Sequence, residues 1–309
     1  MSRSVQPVQA VAPGTELAGF RVLADLGTGA ASRLYLVQDP RTKHVWALKH
    51  VVKRTEKDQR FLDQTEIEFN VGSQLKHDNI RTVEKLVKNR KVIRVSEVFL
   101  LLEFIDGISL DNHPPETLGS SIAVMTQVAE GLLYMHKLGF VHADMKPNNV
   151  IVTDDGLAKI IDLGQSCRNG TVKQRIQGTV DYIAPEQVHR RAITPATDVY
   201  NLGATIYWCL TGQNIPTAMS DRTGLGFAKD TSQLELPAAP SEVNPQVPPE
   251  LSALVLECVR AEPSDRPTME AIRNRLQIVQ VRMENESSGF YPPQQAGVAN
   301  EENPQTTAD

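Results

Sequence analysis

The chain has 309 residues, 40% of them hydrophobic and 22% charged, which is the ordinary composition of a globular protein. Its net charge of −5 argues against non-specific nucleic-acid binding, because proteins with that activity are usually basic. No apolar run reaches the roughly 18 residues that a membrane span requires, so we expect none. The three cysteines are far apart and form no C-x-x-C pair, which indicates free thiols in a reducing compartment. We therefore expect a cytoplasmic protein.

The two ends of the chain lack the patterns of folded structure. Residues 1–16 are rich in Val, Gln, Ala and Pro without periodicity, and we expect a flexible leader there. Residues 283–309 are rich in Glu, Asn, Gln and Pro, and we expect a disordered tail. Residues 17–282 remain as the folded part, which is long enough to bury a sizeable core.

The first folded segment predicts strands on both sides of a glycine-rich turn. Phe20 and Val22, and later Leu34 and Leu36, alternate with other residues as strand residues do. The turn between them, residues 26–32, reads LGTGAAS. Its backbone N–H groups could approach a phosphate closely, because glycine has no side chain to keep it away. By itself this is weak evidence, since most G-x-G turns are only turns.

A strand and a helix follow the turn. Over residues 45–52 the alternation places Ala47 and Lys49 on one face of a strand, where a lysine among apolar neighbours needs a partner. Taken alone, the pattern is explained more simply if Lys49 is a surface lysine on an edge strand. Apolar spacing then predicts a helix over residues 61–76. Gly72 lies inside that helix, at a cost of about 1 kcal/mol in helix propensity, and we expect the helix to move more easily for it.

The rest of the chain changes from strand to helix patterns. Residues 98–107 form an apolar strand that runs into a connector, and past Gly107 the period becomes helical. Predicted helices cover residues 118–138, 198–212, 251–260 and 268–283. Residues 213–249 have many Pro, Ser and Gly residues and are predicted to be mostly loop, with at most one short helix.

The residues whose side chains could take part in a reaction are concentrated after the predicted helix over residues 118–138, in residues 141–152 (VHADMKPNNVIV). Asp144 can accept a proton from a hydroxyl, and Lys146 is close enough to offset charge on a transferring phosphoryl group. Asn149 and Asp162 offer oxygen ligands of the kind that magnesium prefers. Two short β-branched runs, residues 150–152 and 159–161, are joined by an Asp-Gly turn and predict a hairpin. Asn149 and Asp162 lie at neighbouring ends of its two strands, so both can point at one ion.

The pieces His-Ala-Asp-Met-Lys-Pro-Asn-Asn and Asp-Leu-Gly together resemble the catalytic and metal-binding loops of eukaryotic-type (Hanks-type) protein kinases. The family forms are His-Arg-Asp-x-x-x-x-Asn and Asp-Phe-Gly. Residues 178–186 (GTVDYIAPE) resemble the end of the kinase activation segment, and Lys-Pro in the catalytic loop is the Ser/Thr rather than the Tyr pattern. The resemblance covers about residues 17–282, and residues 241–249 are similar to bacterial members.

The resemblance implies an α+β, bilobal protein-kinase fold. A small β-rich N-lobe with helix C would cover about residues 17–105, and a larger helical C-lobe about residues 106–282. It also implies ATP and Mg²⁺ as cofactors, with Mn²⁺ as a substitute, and protein substrates that carry Ser or Thr hydroxyls. It leaves the physiological substrate, the activating signal and the oligomeric state open.

The resemblance further assigns roles in nucleotide binding. Lys49 is similar to the lysine that holds the α- and β-phosphates, and Glu68 is the best match for its glutamate partner, with Glu66 as a rival. The Glu103 carbonyl and the Ile105 N–H would contact adenine at the hinge between the lobes. The implied ATP-binding residues are Leu26, Gly27, Thr28, Gly29, Ala30, Ser32, Leu34, Ala47, Lys49, Glu68, Leu102, Glu103, Ile105 and Ile151.

In the catalytic part, the resemblance makes Asp144 the base and Thr179 its hydrogen-bonding neighbour, alongside Lys146. Asn149 and Asp162 would hold the metal. Further down the chain, Glu186 and Arg266 would form a buried ion pair, and Asp198 would anchor the backbone of the catalytic loop from below.

Three positions depart from the family pattern. Ser32 stands for the third glycine of the nucleotide-covering loop, Leu34 for a valine, and Ala143 for the arginine of the catalytic loop. Because that arginine ordinarily pairs with a phosphate on the activation segment, we expect phosphorylation of Thr171 or Ser166 to matter less here. Two alternatives stay open: a pseudokinase or scaffold that binds without transfer, and a small-molecule phosphotransferase. The second is less favoured, because such enzymes generally lack the 178–186 type of segment.

Overall fold

Six strands form an antiparallel sheet in the N-terminal part of the protein. They are β1 (Glu16–Leu17), β2 (Phe20–Thr28), β3 (Ser32–Gln38), β4 (Val45–Val52), β5 (Val83–Lys91) and β6 (Arg94–Glu103). Their order in space is β1-β2-β3-β4-β6-β5. The structure is a computed structural model, and it describes residues 8–29, 31–91, 94–217, 219 and 235–288.

Alternation along the strands gives this sheet two different faces. Leu48 and Leu101 belong to an apolar cluster on one face, whereas Ala47 and Leu102 belong to a second cluster. Lys49, two residues after Ala47, shares the second face, as its strand pattern predicts. The sheet therefore presents the lysine on the side where the helix of this lobe packs.

That helix, α1 (Gln59–Gly72), packs against β4, β5 and β6. It begins two residues before the predicted start and ends four residues before the predicted end. Gly72 is therefore its last residue and not an interior one. A Cβ atom on Gly72 would lie 2.3 Å from Val83 Cγ2 and 3.2 Å from Leu163 Cδ1. The expectation that Gly72 lies inside the helix is therefore wrong, and this glycine allows α1 to approach β5 closely.

The C-terminal part is mostly helical. Its helices are α2 (Leu118–Lys137), α3 (Pro185–Val188), α4 (Pro195–Thr211), α5 (Pro240–Val243), α6 (Pro249–Cys258) and α7 (Met269–Ser288). One apolar core joins the long helices through side chains such as Met125, Leu202, Leu254 and Leu276. The architecture is the predicted α+β fold of two lobes, with the strands in the first and the helices in the second.

Short strands connect the helices and carry the chemically interesting loops. They are β7 (Gly107–Ser109), β8 (Phe140–Val141), β9 (Val150–Thr153), β10 (Ala158–Ile160), β11 (Cys167–Arg168), β12 (Thr171–Val172) and β13 (Ala192–Ile193). Strands β9 and β10 pair antiparallel, with Ile151 opposite Lys159, which confirms the predicted hairpin. Asn149 directly precedes β9 and Asp162 follows β10 by two residues, so the hairpin brings both to one end.

The predicted flexible leader differs from the structure over residues 8–16. Val8 is 4% exposed, and its carbonyl accepts a hydrogen bond from Arg33. The Tyr35 hydroxyl donates to the Gln9 carbonyl at 3.2 Å and accepts from the Val11 N–H at 3.2 Å. These contacts use mainly backbone groups, which leave no periodic pattern in the sequence. Residues 1–7 lie outside the described residues.

The predicted tail also begins later than expected, because α7 continues to Ser288. Its last turns are held by side chains: Arg282 pairs with Glu250, and Gln280 bonds Glu284 at 3.1 Å. The remaining residues of the predicted tail, 289–309, lie outside the described residues, as do 218 and 220–234 of the predicted loop. Among the helices that are described, none is long and apolar enough to cross a membrane.

We predict that Gly72→Ala lowers the free energy of unfolding by about 1–3 kcal/mol, because the added methyl overlaps Val83. Urea denaturation of wild type and variant measures this loss. The single variant Val83→Ala serves as the control. Combined with Gly72→Ala, it should restore part of the lost stability by removing the nearest methyl group. If the double variant lost the sum of both single effects, the contact would not be the cause.

Candidate active site

The loop after β8 is fixed by a buried carboxylate on α4. Asp198 is 0% exposed and accepts the backbone N–H groups of His142, at 2.9 Å, and Ala143, at 2.7 Å. His136, at the end of α2, lies 2.8 Å from the same carboxylate. Desolvation acts to raise the pKa of Asp198, but the His136 contact and the backbone donors hold it below its ordinary value. The expected anchor of the catalytic loop is therefore present.

This anchor holds an unusual backbone conformation. Ala143 has φ 61°, in the left-handed region that non-glycine residues seldom adopt. Its methyl group is fully buried in a cluster with Val141, Ile193 and Cys167. The strained residue directly precedes Asp144, which is 9% exposed.

Asp144, Lys146 and Thr179 form a closed network. The Thr179 hydroxyl donates to Asp144 Oδ1 at 3.0 Å and accepts from Lys146 Nζ at 2.7 Å. Lys146 Nζ also lies 3.2 Å from Asp144 Oδ2. The three residues assigned to catalysis from the sequence thus meet, although Thr179 is 35 residues from Asp144.

Asn149 and Asp162 both lie at the open end of the β9–β10 hairpin. Asn149 donates its Nδ2 to the Asp144 carbonyl at 2.8 Å and accepts the Ile161 N–H on its own carbonyl at 2.8 Å. Asp162, with φ 61°, accepts the Gly164 N–H at 3.2 Å. Desolvation acts to raise the pKa of Asp162, but the charge of Lys49 keeps it low, so the carboxylate is available as an anionic ligand.

The donor set of Asn149 and Asp162 fits magnesium or manganese. No cluster of three or more His, Cys, Asp or Glu residues that could hold an ion occurs among the described residues. A carboxylate and a carboxamide oxygen alone suit an ion that keeps several waters and takes phosphate oxygens from a substrate. This set would therefore hold Mg²⁺ together with a nucleotide and only weakly without one.

Lys49 is paired as the resemblance implies. Its Nζ lies 2.6 Å from Glu68 Oε2 on α1 and 4.0 Å from Asp162 Oδ1. Desolvation acts to lower the pKa of Lys49, but the carboxylates of Glu68 and Asp162 raise it to about 12. The rival, Glu66, pairs with Lys88 at 2.8 Å instead. The open choice between the two glutamates is therefore decided by geometry in favour of Glu68.

The glycine-rich turn is braced at its base. Gly27 has φ 139° and donates its N–H to Asp25 at 3.1 Å, while Asp25 also pairs with Arg33. A Cβ atom on Gly29 would lie 2.5 Å from Ser32 Oγ, so a larger residue there would require the Ser32 side chain to turn away. Thr28 ends β2, Leu26 is exposed and Leu34 packs with the cluster of Ala47. Ala30 lies outside the described residues.

The hinge contains a contact that the sequence does not reveal. Leu102 and Ile105 are buried, and Ile151 lies partly buried on β9, in the neighbouring three-stranded sheet. The Glu103 carbonyl, which the resemblance assigns to adenine, accepts a hydrogen bond from Arg81 Nε at 2.9 Å. Arg81 was not among the predicted site residues. The only available signal was alternation with the buried Val83, two residues later on the same side of the chain.

The activation segment is held by a long-range ion pair. Arg266 donates to Glu186 through two parallel bonds, of 2.8 and 2.9 Å, and both side chains are buried. The Thr197 hydroxyl donates to the same carboxylate at 2.8 Å. The predicted pairing of Glu186 with Arg266 is confirmed, and it fixes the chain just after Thr179.

Comparisons with known proteins agree with this geometry. The serine/threonine-protein kinase PknL of Mycobacterium tuberculosis is 30% identical over 258 residues, which cover 80% of this chain and 62% of that protein. Pkn1 of Myxococcus xanthus is 30% identical over 284 residues, which cover 86% of this chain and 39% of Pkn1. The chain thus spans less than two thirds of the length of these relatives.

Solved structures and a family model give the same result. A crystal structure of a mutant PknI kinase domain from Mycobacterium tuberculosis matches with a TM-score of 0.66 at 24% identity, covering 88% of this chain and 100% of that one. At this identity the match speaks for the fold. The model of the protein kinase domain family matches residues 20–276. Together with the paired Lys49 and Glu68 and the Asp144 network, this match means that the chain belongs to the protein kinase domain family.

Proposed function

We propose that this protein is a serine/threonine protein kinase, which transfers the γ-phosphoryl group of ATP to Ser or Thr hydroxyls of proteins. The observation that carries the proposal is a continuous line of contacts across the cleft. Lys49 lies 4.0 Å from Asp162, whose neighbour Ile161 donates its N–H to the Asn149 carbonyl at 2.8 Å. Asn149 bonds the Asp144 carbonyl at 2.8 Å, and Asp144 bonds Thr179 at 3.0 Å. A nucleotide phosphate chain and a substrate hydroxyl could meet along this line.

Each residue then has a defined part in the reaction. Lys49, held in place by Glu68, would neutralise the α- and β-phosphates of the nucleotide. Asp144 would orient the protein hydroxyl and accept its proton. Lys146, already next to Asp144 and Thr179, would offset charge on the moving phosphoryl group.

Asn149 and Asp162 would hold the metal. Magnesium, when bound, supplies positive charge to the β- and γ-phosphate oxygens. These two residues would fix where that charge lies, and the Asp162–Lys49 contact would place it next to the phosphate-binding lysine. Positioning and electrostatics would thus account for most of the rate.

The test is phosphoryl transfer from γ-labelled ATP to the protein itself and to a generic basic protein, with and without Mg²⁺. We expect label on Ser and Thr in the wild type, and at least a hundredfold less in Lys49→Ala and Asp162→Ala. If the wild type binds ATP but labels neither itself nor the basic protein, the result would favour the scaffold alternative. The hydrogen bond of Arg81 to the hinge carbonyl is the observation that favours that alternative.

We also propose that phosphorylation of the activation segment matters little. The segment is tied by pairing of β11 with β8 and of β12 with β13. Burial lowers the pKa of Lys173, on which the carboxylates of Asp144 and Asp198 act in the opposite direction. Lys173 Nζ donates to the Gln165 carbonyl at 2.5 Å, so this cation ties the segment to itself without a phosphate.

Thr171→Ala should accordingly retain most transfer activity, because its hydroxyl bonds the Arg168 carbonyl, at 2.6 Å, and Cys167, both within the same segment. Lys173→Met is the matched comparison and should lose more activity than Thr171→Ala. Initial rates with the same labelled substrate measure both. A loss above tenfold in Thr171→Ala would show that a phosphate on this residue is needed.

A further inference from the structure

Arg81 is a buried cation whose backbone is fixed between the lobes. Its N–H donates to the Ile160 carbonyl at 2.9 Å, at the end of β10. The next residue, Thr82, accepts the Glu103 N–H on its carbonyl at 2.9 Å. The whole residue is 8% exposed. The chain therefore carries this guanidinium alongside the hinge, and the backbone cannot move it away without breaking contacts to both lobes.

The side chain is directed at a backbone oxygen and not at a carboxylate. Arg81 Nε donates to the Glu103 carbonyl at 2.9 Å, the one hydrogen bond of this guanidinium among the described residues. The Glu103 carboxylate is turned elsewhere: it pairs with Lys159 at 2.9 Å and accepts the Thr82 N–H at 2.9 Å. The guanidinium is thus placed where the proposed function needs a free hydrogen-bond acceptor.

Three carboxylates act on the charge of Arg81. Desolvation lowers the pKa of Arg81, while the carboxylates of Glu68, Glu103 and Asp162 act in the opposite direction. The charge of Arg81 in turn acts on Lys49. The guanidinium is bonded to the hinge carbonyl, its charge interacts with those of the residues proposed to hold phosphate and metal, and it stays charged.

We propose that Arg81 competes with the nucleotide base for the Glu103 carbonyl, and so sets both the affinity and the selectivity for adenine. This rests on the proposed function, in which that carbonyl accepts the exocyclic amino group of adenine. A charged donor bonds a carbonyl more strongly than a neutral amino group does. A backbone carbonyl has two lone pairs, so adenine displaces the guanidinium where both need the same one, and the guanidinium can then turn toward the carboxylates of Glu68 and Asp162.

The competition has a consequence for base selectivity. A base with a carbonyl in place of the amino group, such as hypoxanthine, has no donor for the Glu103 carbonyl. With Arg81 present, the guanidinium can donate to both oxygens, so such a base is tolerated. Without Arg81, the two oxygens face each other unpaired, which costs binding free energy.

The test compares binding of adenosine and inosine, which lack phosphates, to the wild type and to Arg81→Met by titration calorimetry. Nucleosides remove any direct attraction between Arg81 and a phosphate chain. We expect Arg81→Met to bind adenosine about tenfold more tightly, the size of one lost competing hydrogen bond from a charged donor. Inosine affinity should stay unchanged or fall. Arg21→Met, at an exposed arginine of β2, controls for the loss of one positive charge.

A second measurement on the wild type guards against a misfolded variant. In protein labelled with ¹⁵N-arginine, the Arg81 Nε–H resonance should shift on addition of adenosine and much less on addition of inosine. Assignment by comparison with Arg81→Lys is sufficient, since only one arginine resonance disappears. A resonance that does not respond to saturating adenosine would overturn the proposal.

The outcomes separate this inference from the proposed function. Equal or weaker adenosine binding in Arg81→Met, with phosphoryl transfer intact in the wild type, overturns the role of Arg81 alone. Binding by the variant and not by the wild type supports the role of Arg81. Binding by neither overturns the role of Arg81, whereas absence of phosphoryl transfer from ATP overturns the proposed function.

Discussion

The buried carboxylate of Asp198 is the constraint on which the catalytic part of the structure depends. It accepts the N–H groups of His142 and Ala143 and so holds Ala143 in a left-handed conformation. Without these two bonds the strained residue would relax, at a gain of about 1 kcal/mol or more. Asp144 follows directly, and Asn149 bonds its carbonyl. One carboxylate on a core helix therefore sets the position of both the proposed base and a proposed metal ligand.

The N-lobe depends on a different constraint, the close approach of α1 to the sheet. Gly72 lets the helix reach Val83, and one helical turn earlier Glu68 reaches Lys49 at 2.6 Å. Lys49 then lies 4.0 Å from Asp162, which belongs to the hairpin of the other lobe. The two constraints meet at this contact. A change at either end, in the packing of α1 or in the anchoring of the loop, would therefore alter the same cleft.

Local motifs were predictable from the sequence, and long-range approaches were not. The hairpin that brings Asn149 and Asp162 together is encoded within about a dozen residues, by β-branched runs and an Asp-Gly turn. The pairing of Glu186 with Arg266 spans 80 residues and followed from the resemblance. Gly72 was misjudged because the sequence gives no sign of Val83 lying against it. Arg81 was missed because its burial depends on the hinge, which is distant in sequence.

The central claim is that anchoring of the catalytic loop by Asp198 permits catalysis without contributing to metal-free nucleotide binding. Steady-state kinetics, and ATP binding without Mg²⁺, of Asp198→Asn test it most directly, because asparagine has one oxygen for two backbone N–H groups. We predict a fall in kcat of at least about tenfold with unchanged affinity for ATP in the absence of Mg²⁺, since the Lys49–Glu68 pair is not touched. A folded Asp198→Asn protein with wild-type kcat, or with lost affinity for metal-free ATP, would contradict it.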